Sequence, residues 1–535
     1  MDPAPLLVIG LDGCDFSLLD QFAGELDTIS QLRERGTETP LQSTHPPWTP
    51  SAWPSLYTGV EPSTHGVFDF FQYADQYPDE AEPVSRYHVH APAIWDYLSD
   101  RQRSSIVVNV PITHPATALE GTMLPGYMAP PDEDGYPVGI RAAVSEAIGE
   151  PYAIYSEFET GKNQPKKFDG YERLVNQRMN AAAYLLRSRT WDFAFVVVQK
   201  TDTVFHNSTS TDDFKRIYVA ADRLIRSLIE CCPVEPNVLI CSDHGMGVVD
   251  GYTLYVNELL KQHGYIETVP DSGRTSLHHI KGADKDVPWR KKTANIVGTL
   301  IRKSAISPVA LYNVANKYGI WDEIHRSLPA ELINGSSYGV DWRASEAYCR
   351  RASEQGIRLN VAGRDPDGVV PPERYEQVRS EIIELLRAQQ TPDGGPIFEF
   401  VVPREEVYRG PYRALACDIL FRTASMNHNI STNLYGETMV PVDTYNHKMD
   451  GVFIAAGPDI AHRPMADGLS ILDVAPIVFS LLREPIPDRL QGSVPTDILT
   501  TPVDRESYAT TMEFDGHETR DRDGVHERLR DLGYL

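Results

Sequence analysis

Leu6-Leu-Val-Ile-Gly-Leu11, running straight into Asp12-Gly13, is an unbroken apolar stretch of strand length that ends on an acidic residue and a glycine. Strands buried on both faces read this way, because a parallel sheet covered by helices leaves no face for polar residues. The same texture returns in Ser105-Ile-Val-Val-Asn-Val110, in Trp191-Asp-Phe-Ala-Phe-Val-Val-Val198 and in Asn237-Val-Leu-Ile-Cys-Ser242. Helical patterns stand between them at 16–36, ending on Gly36, at 91–100 around Ile94 and Trp95, at 171–189 with Leu174, Met179, Ala182 and Leu185, and at 211–231. Strand and helix in alternation predict an α/β fold, a central mostly parallel sheet flanked by helices on both faces.

With 535 residues the chain exceeds one simple core and suggests a catalytic domain carrying an insertion. Residues 1–259 read as the first part of the core, with a long loop excursion at 112–170 rich in Pro, Gly, Asp and Tyr, where substrate loops usually lie. At 260–345 the texture changes to a basic cluster (Lys281, Lys285, Arg290, Lys291, Lys292, Arg302, Lys303) and a helical pattern through Ile296, Leu300, Ile301 and Leu311, which predict an inserted cap or lid. A solvated helix face explains that basic cluster better than an anion-guiding surface. Residues 346–535 read as the second part of the core, with a helix at 372–389, strands at Asp418–Arg422 and Gly451–Ala456, a helix at 472–482 and a charged amphipathic helix at 525–535.

The formal charge of −25 argues against general nucleic-acid binding and against docking on an anionic bilayer. Only 13 of the 50 basic residues are lysine, and a Lys-poor, acid-rich chain suits high salt, where screening weakens self-repulsion; a halophilic source is expected. The six cysteines contain no CxxC pair, so buried reduced thiols are expected rather than disulfides or a thiolate metal site. No basic-then-apolar leader and no bilayer-length apolar run is seen, which predicts a cytoplasmic protein; the oligomeric state is open.

Thr49 lies in Pro46-Pro-Trp-Thr-Pro-Ser-Ala-Trp-Pro-Ser-Leu-Tyr-Thr-Gly59. Pro50 suits the first position of a helix, which makes Thr49 the expected cap and sets its hydroxyl beside the free N–H groups of a helix mouth, a ready phosphate site. Asp202 and His206 stand four apart after a strand and share one helix face. Asp243-His244 leave another strand in a tight turn before Gly245, Asp12 ends the first strand, and His447 precedes Gly451. The carboxyl ends of parallel strands share one rim, and carboxylates crowded there need cations. Oxygen and nitrogen donors with one hydroxyl nearby suit two zinc-like ions; Mn, Fe or Mg would also fit. Asn109 and Arg364 are candidate substrate contacts. His65 reads as a structural hydrogen-bonder, and His45 has no metal-like spacing.

These pieces, in this order, resemble the alkaline phosphatase superfamily, and most of all its type I phosphodiesterase and nucleotide pyrophosphatase branch. The matching segments are the strand to Asp12, Thr49 with Thr58-Gly59 and His65-Gly66, Asp202-x-x-x-His206, Ser242-Asp243-His244-Gly245-Met246, and His447. The resemblance implies an alkaline-phosphatase-like sheet with an inserted cap and a metal-dependent hydrolase of small phosphate esters or nucleotides. It implies one metal on Asp202, His206 and His447, and another on Asp12, Asp243 and His244, with Thr49 as ligand and nucleophile forming a phospho-enzyme. Ala52 stands where nucleotide pyrophosphatases usually carry an Asn, and the sulfatase Cys/Ser-x-Pro-x-Arg signature is absent. A phosphomonoesterase or phosphotransferase on the same metals is the nearest rival, and a non-catalytic binding protein of the same fold the more distant one.

Overall fold

The computed structural model describes residues 3–73, 77–78, 81–157, 164–270, 338–462, 468–495, 498 and 505–506. Its main sheet has eight strands: β1 (Leu6–Leu11), β2 (Thr37–Gln42), β3 (Ser105–Val108), β4 (Gly121–Leu124), β5 (Phe193–Val198), β6 (Asn237–Cys241), β7 (Asp450–Ala456) and β8 (Leu469–Ser470). Their order is β8-β2-β7-β6-β1-β5-β3-β4. From β6 to β4 every pair is parallel, with Leu6 facing both Phe193 and Asn237, whereas β7 runs antiparallel to both its neighbours. The α/β architecture read from the sequence is the one the chain adopts.

β1, β5 and β6 are buried at every residue, and alternate side chains feed opposite layers. Leu6, Val8, Phe195 and Leu239 face a core shared with Trp53 of helix α1 (Thr49–Thr58), while Leu7, Ile9, Val196 and Ile240 face one shared with helix α2 (Gln164–Ser188), α3 (Lys200–Asn207) and α4 (Thr211–Glu230). Each such aliphatic side chain contributes roughly 1.5–3 kcal/mol by leaving water. All ten residues of α1 are buried, and three of its hydroxyls are satisfied by backbone carbonyls, Ser51 donating to Pro46 (2.7 Å), Ser55 to Ser51 (2.8 Å) and Thr58 to Pro54 (2.5 Å).

Three expectations change. The single helix at 16–36 is two, Phe16–Gln21 and Asp27–Arg35, because the Ala23-Gly24-Glu25 turn interrupts it and Asp15 caps the first by accepting from the Ser17 N–H (2.7 Å). The 112–170 excursion contains β4 and a helix at Ile140–Ile148; β4 pairs Gly121 with Ser105, and its glycine and threonine hide it from a search for apolar runs. Between Ala347 and Thr423 the chain builds a separate unit, and it rejoins the main sheet only at β7. Ala347–Tyr348, Gly356–Leu359, Phe398–Pro403 and Ile419–Thr423 form an antiparallel four-stranded sheet covered by the helix Tyr375–Arg387. Its core also takes in Leu254 and Leu259, ahead of the expected boundary at 260. Alternation of strand and helix reveals elements but not strand direction, so this unit looked like more of the parallel sheet. The basic residues at 281–303 and the helix expected at 525–535 lie outside the described residues. All six cysteines are unpaired, and no described helix is long and apolar enough to cross a membrane.

Asp418 ties the smaller sheet together. Fully buried, its carboxylate accepts from the Leu359 N–H (2.8 Å), the Tyr375 hydroxyl (3.0 Å) and the Arg364 guanidinium (2.6 and 3.0 Å). Burial pushes its pKa up, but Arg358, Arg364 and Arg404 outweigh it and hold the group at about 2, against an ordinary 3.8. A folded-state value below the unfolded one means stability that is present above pH 3.8 and lost as pH falls through about 2. Asp418→Asn is therefore expected to cost about 2–3 kcal/mol at neutral pH, with the deficit against wild type shrinking in strong acid; chemical denaturation at several pH values measures both.

Candidate metal centre

Because β6, β1 and β5 are adjacent and parallel, their carboxyl ends open on one rim. Asp12 follows β1, Asp202 sits in the first turn of α3 just past β5, and Asp243 and His244 follow β6. The chain comes back to that rim along Thr444–Lys448, which pairs antiparallel with Gly245–Val249 and sets His447 opposite Met246.

Two groups of donors result. His244 Nε2 lies 3.6 Å from Asp12 Oδ1 and 3.4 Å from Asp243 Oδ2. Asp202 Oδ1 lies 3.2 Å from His206 Nε2 and 3.6 Å from His447 Nε2, and those two nitrogens are 3.3 Å apart. Asp202 also falls within 4.8 Å of the Asp12 and His244 donors, so it stands between the groups. The His244 and His447 rings are stacked, with centroids 3.8 Å apart.

The surroundings fix how these side chains point. Trp53 Nε1–H donates to Asp12 Oδ2 (3.2 Å), and the Gly13 N–H donates to Asp243 Oδ1 (3.3 Å). His447 Nδ1 faces the Pro47 carbonyl (3.0 Å) and His244 Nδ1 faces that of Gly245 (2.9 Å). A carbonyl only accepts, so each Nδ1 carries the proton and each Nε2 presents a lone pair. What is left over is informative: Asp12 Oδ1, Asp243 Oδ2 and His244 Nε2 are buried without a hydrogen-bond partner, and they converge. Orphaned buried polar atoms are costly, and three acceptors meeting at one place fit a bound cation.

Electrostatics point the same way. Burial, reinforced by the Asp243 and Asp202 carboxylates, pushes the Asp12 carboxyl well above its usual range. Burial lifts Asp243 to about 6 despite His244. For Asp202 burial also raises, but His206, His244 and Lys200 prevail and hold it below the ordinary value. Burial together with the charges of His244 and His206 drives His447 far down, keeping its imidazole neutral and able to ligate.

Thr49 lies close by. Trp48, not Thr49, holds the cap position of α1 (φ −120°, ψ 146°), since its carbonyl already accepts from the Ser51 and Ala52 N–H groups (3.0 and 2.9 Å); Thr49 is the first helical residue. The Trp48 ring packs 4.0 Å from that of His447, and the Pro47 carbonyl holds the same histidine, so the start of α1 is anchored to the donor cluster. Thr49 itself is almost fully buried.

Of the two candidate substrate contacts, Asn109 is at the same rim. It is held at φ 60°, donates from Nδ2 to the Val197 carbonyl (2.9 Å) and lines a small cavity with Lys200 and Gln199. Arg364 is not; it is bound to Asp365 and Asp418 in the smaller sheet. His65 meets Ser55 Oγ (3.0 Å) and accepts from the Val67 N–H (3.2 Å), the structural role read from its turn. Sequence reasoning missed Lys200, a buried ammonium beside Asp202, and the tryptophans on either side of Thr49; a lysine closing an apolar strand was the available signal. Gly13 is also part of the centre: at φ 63°, a Cβ there would stand 3.0 Å from Asp202 Cβ and Oδ1. Gly13→Ala is expected to displace the Asp202 carboxylate and weaken metal affinity about 10- to 100-fold, read by metal titration.

Sheet, rim and donor set define a metal-dependent hydrolase of phosphoric esters in the alkaline phosphatase superfamily. The chain belongs to the type I phosphodiesterase / nucleotide pyrophosphatase family, whose model matches residues 6–438. Among solved structures it is similar to phosphonoacetate hydrolase from Sinorhizobium meliloti 1021 in complex with phosphonoformate, at 17% identity and a TM-score of 0.54, covering 90% of this chain and 96% of that one. The complex of that enzyme with phosphonoacetate matches at 18% identity with the same TM-score of 0.54 and the same coverage, 90% and 96%. At such identities the likeness speaks for the fold. No curated protein matches the chain significantly.

Proposed function

We propose that the chain is a phosphodiesterase or pyrophosphatase acting on small phosphate esters or nucleotides through a covalent phosphothreonine at Thr49. Asp202, His206 and His447 would hold one divalent ion, and Asp12, Asp243 and His244 the other, with zinc favoured by the mixed oxygen and nitrogen donors and Mn, Fe or Mg as alternatives. The observation that carries this reading is the convergence of Asp12 Oδ1, Asp243 Oδ2 and His244 Nε2, buried and unpartnered, next to a second trio of donors and the Thr49 helix start.

Bound divalent ions supply positive charge for the phosphoryl oxygens and lower the pKa of a coordinated hydroxyl. The Thr49 hydroxyl gives up its proton and its oxygen forms a bond to phosphorus as the bond to the leaving oxygen breaks, the electron pair departing on that oxygen, which takes up a proton. Water then cleaves the phosphothreonine ester, restoring the Thr49 hydroxyl and releasing the retained half of a diester as a phosphate monoester. Trp53 and Gly13 keep the Asp12 and Asp243 carboxylates from turning away, and the Pro47 and Gly245 carbonyls hold the imidazoles in their ligating tautomer. Metal analysis of the purified protein, with a comparison of bis-p-nitrophenyl phosphate and p-nitrophenyl phosphate at high salt, tests the reading. Metal content with diester turnover is expected; faster monoester turnover would move the assignment to a phosphomonoesterase.

A further inference from the structure

Residues 43–47 join β2 to the start of α1 and deliver Thr49 to the rim, so the setting of this short connection sets the position of the hydroxyl. Its side chains do little to hold it: Ser43 Oγ and both ring nitrogens of His45 are buried with no hydrogen-bond partner. The backbone is held instead. The Ser43 N–H donates to the Met449 carbonyl (2.8 Å), and the Pro46 carbonyl accepts from Ser51 Oγ (2.7 Å) inside the first turn of α1. The Pro47 carbonyl accepts from His447 Nδ1–H (3.0 Å), and the His45 carbonyl accepts from the hydroxyl of Tyr408 (2.5 Å). Tyr408 belongs to the smaller unit, not to the metal rim.

The hydroxyl of Tyr408 is aimed by the packing of its ring. The side chain is almost fully buried, meets Phe68 edge-on with ring centroids 5.1 Å apart, and shares a cluster with Cys417 and with Leu420 of the strand Ile419–Thr423. The next two residues bind on the other side of α1, where the Arg409 and Gly410 N–H groups each donate to Glu61 Oε1 (3.1 Å). Gly410 lies so close to Ser63 that a Cβ would stand 2.3 Å from the Ser63 carbonyl oxygen. The smaller unit therefore grips the chain before and after the helix that begins with Thr49. Removing the Tyr408 hydroxyl leaves a buried carbonyl without its donor, and the connection must shift to find another.

We infer that Tyr408 is a positioning residue for the reaction: its hydroxyl fixes the approach to α1, and with it both the Thr49 oxygen and the Pro47 carbonyl that orients His447. The smaller unit is then part of the hydrolytic machinery, a strut that reaches the nucleophile from outside the main sheet. The inference rests on the hydrolase reading above, with Thr49 as nucleophile. In-line attack tolerates little displacement, since a misplacement of about 1 Å can cost about 10²-fold in rate.

Tyr408→Phe in the full, metal-loaded chain removes one oxygen and keeps the ring between Phe68 and Leu420. With bis-p-nitrophenyl phosphate, kcat is expected to fall about 10-fold or more while KM stays within about 2-fold. Amide hydrogen exchange of a peptide covering residues 43–52 should quicken about 10-fold. The control is Tyr375→Phe, which takes a hydroxyl from the Asp418 cluster of the same unit and should lower the melting temperature with wild-type kcat and wild-type exchange at 43–52. Should Tyr408→Phe not fold, Gly410→Ala, which drives the same segment off Ser63, takes its place under the same criteria. Wild-type kcat in the strut variant, or an equal loss in Tyr375→Phe, overturns the positioning role, while wild-type turnover with a phosphopeptide containing residue 49 leaves the hydrolase reading standing. Absence of turnover in the wild type overturns both.

Discussion

Replacing Thr49 by alanine is expected to lower kcat by about 10³-fold or more, with secondary structure and melting behaviour close to wild type. The large effect follows from chemistry that alanine cannot supply, an oxygen to carry the phosphoryl group. The small structural effect follows from position: Thr49 is the first residue of α1, where alanine is an acceptable helix former, and the cap is Trp48. Mass spectrometry of acid-quenched wild-type enzyme should show a phosphorylated peptide containing residue 49, absent from the variant. Full activity in Thr49→Ala would remove the nucleophile assignment and leave the donor cluster in need of another reaction.

Stripping the protein of metal should be nearly as damaging, and in two ways. Turnover should disappear, and folding stability should fall by about 4 kcal/mol relative to protein with free metal at a thousand times its dissociation constant. The cause is the crowding of Asp12, Asp202 and Asp243 at a buried rim, where burial and mutual repulsion already push Asp12 and Asp243 upward. Without a cation those carboxylates either repel or take up protons. Calorimetry with and without chelator measures the loss, and restoring zinc, manganese, iron or magnesium one at a time identifies the ion that recovers both stability and rate. A melting temperature indifferent to the chelator would refute a structural demand for metal.

Much of this was legible in the chain. Runs such as Leu6–Leu11 and Phe193–Val198 announce buried parallel strands because apolarity is demanded on both faces, and acidic residues at their ends then fall on one rim by topology alone. His447 was legible only through the family pattern; its placement depends on a ladder with Gly245–Val249 far away in sequence. What stayed hidden depends on partners rather than on local composition. The antiparallel pairing of Phe398–Pro403 with Ile419–Thr423 leaves no mark that separates it from a parallel strand, and Arg364 looked available until its pairing with Asp418 was seen. The cap shifted by one residue because the Trp48 carbonyl enters the helical pattern, a backbone matter that the residue types around Pro50 do not reveal.

The two-stranded ribbon of Gly245–Val249 and Thr444–Lys448 has a consequence for how this enzyme can change. The smaller sheet lies in sequence between the two strands of that ribbon, and His244 and His447 sit at its base. Closing so long an excursion next to both imidazoles insulates them: additional length costs little, since closure entropy grows only logarithmically. Selection can therefore lengthen or shorten that excursion while the two imidazoles stay where they are.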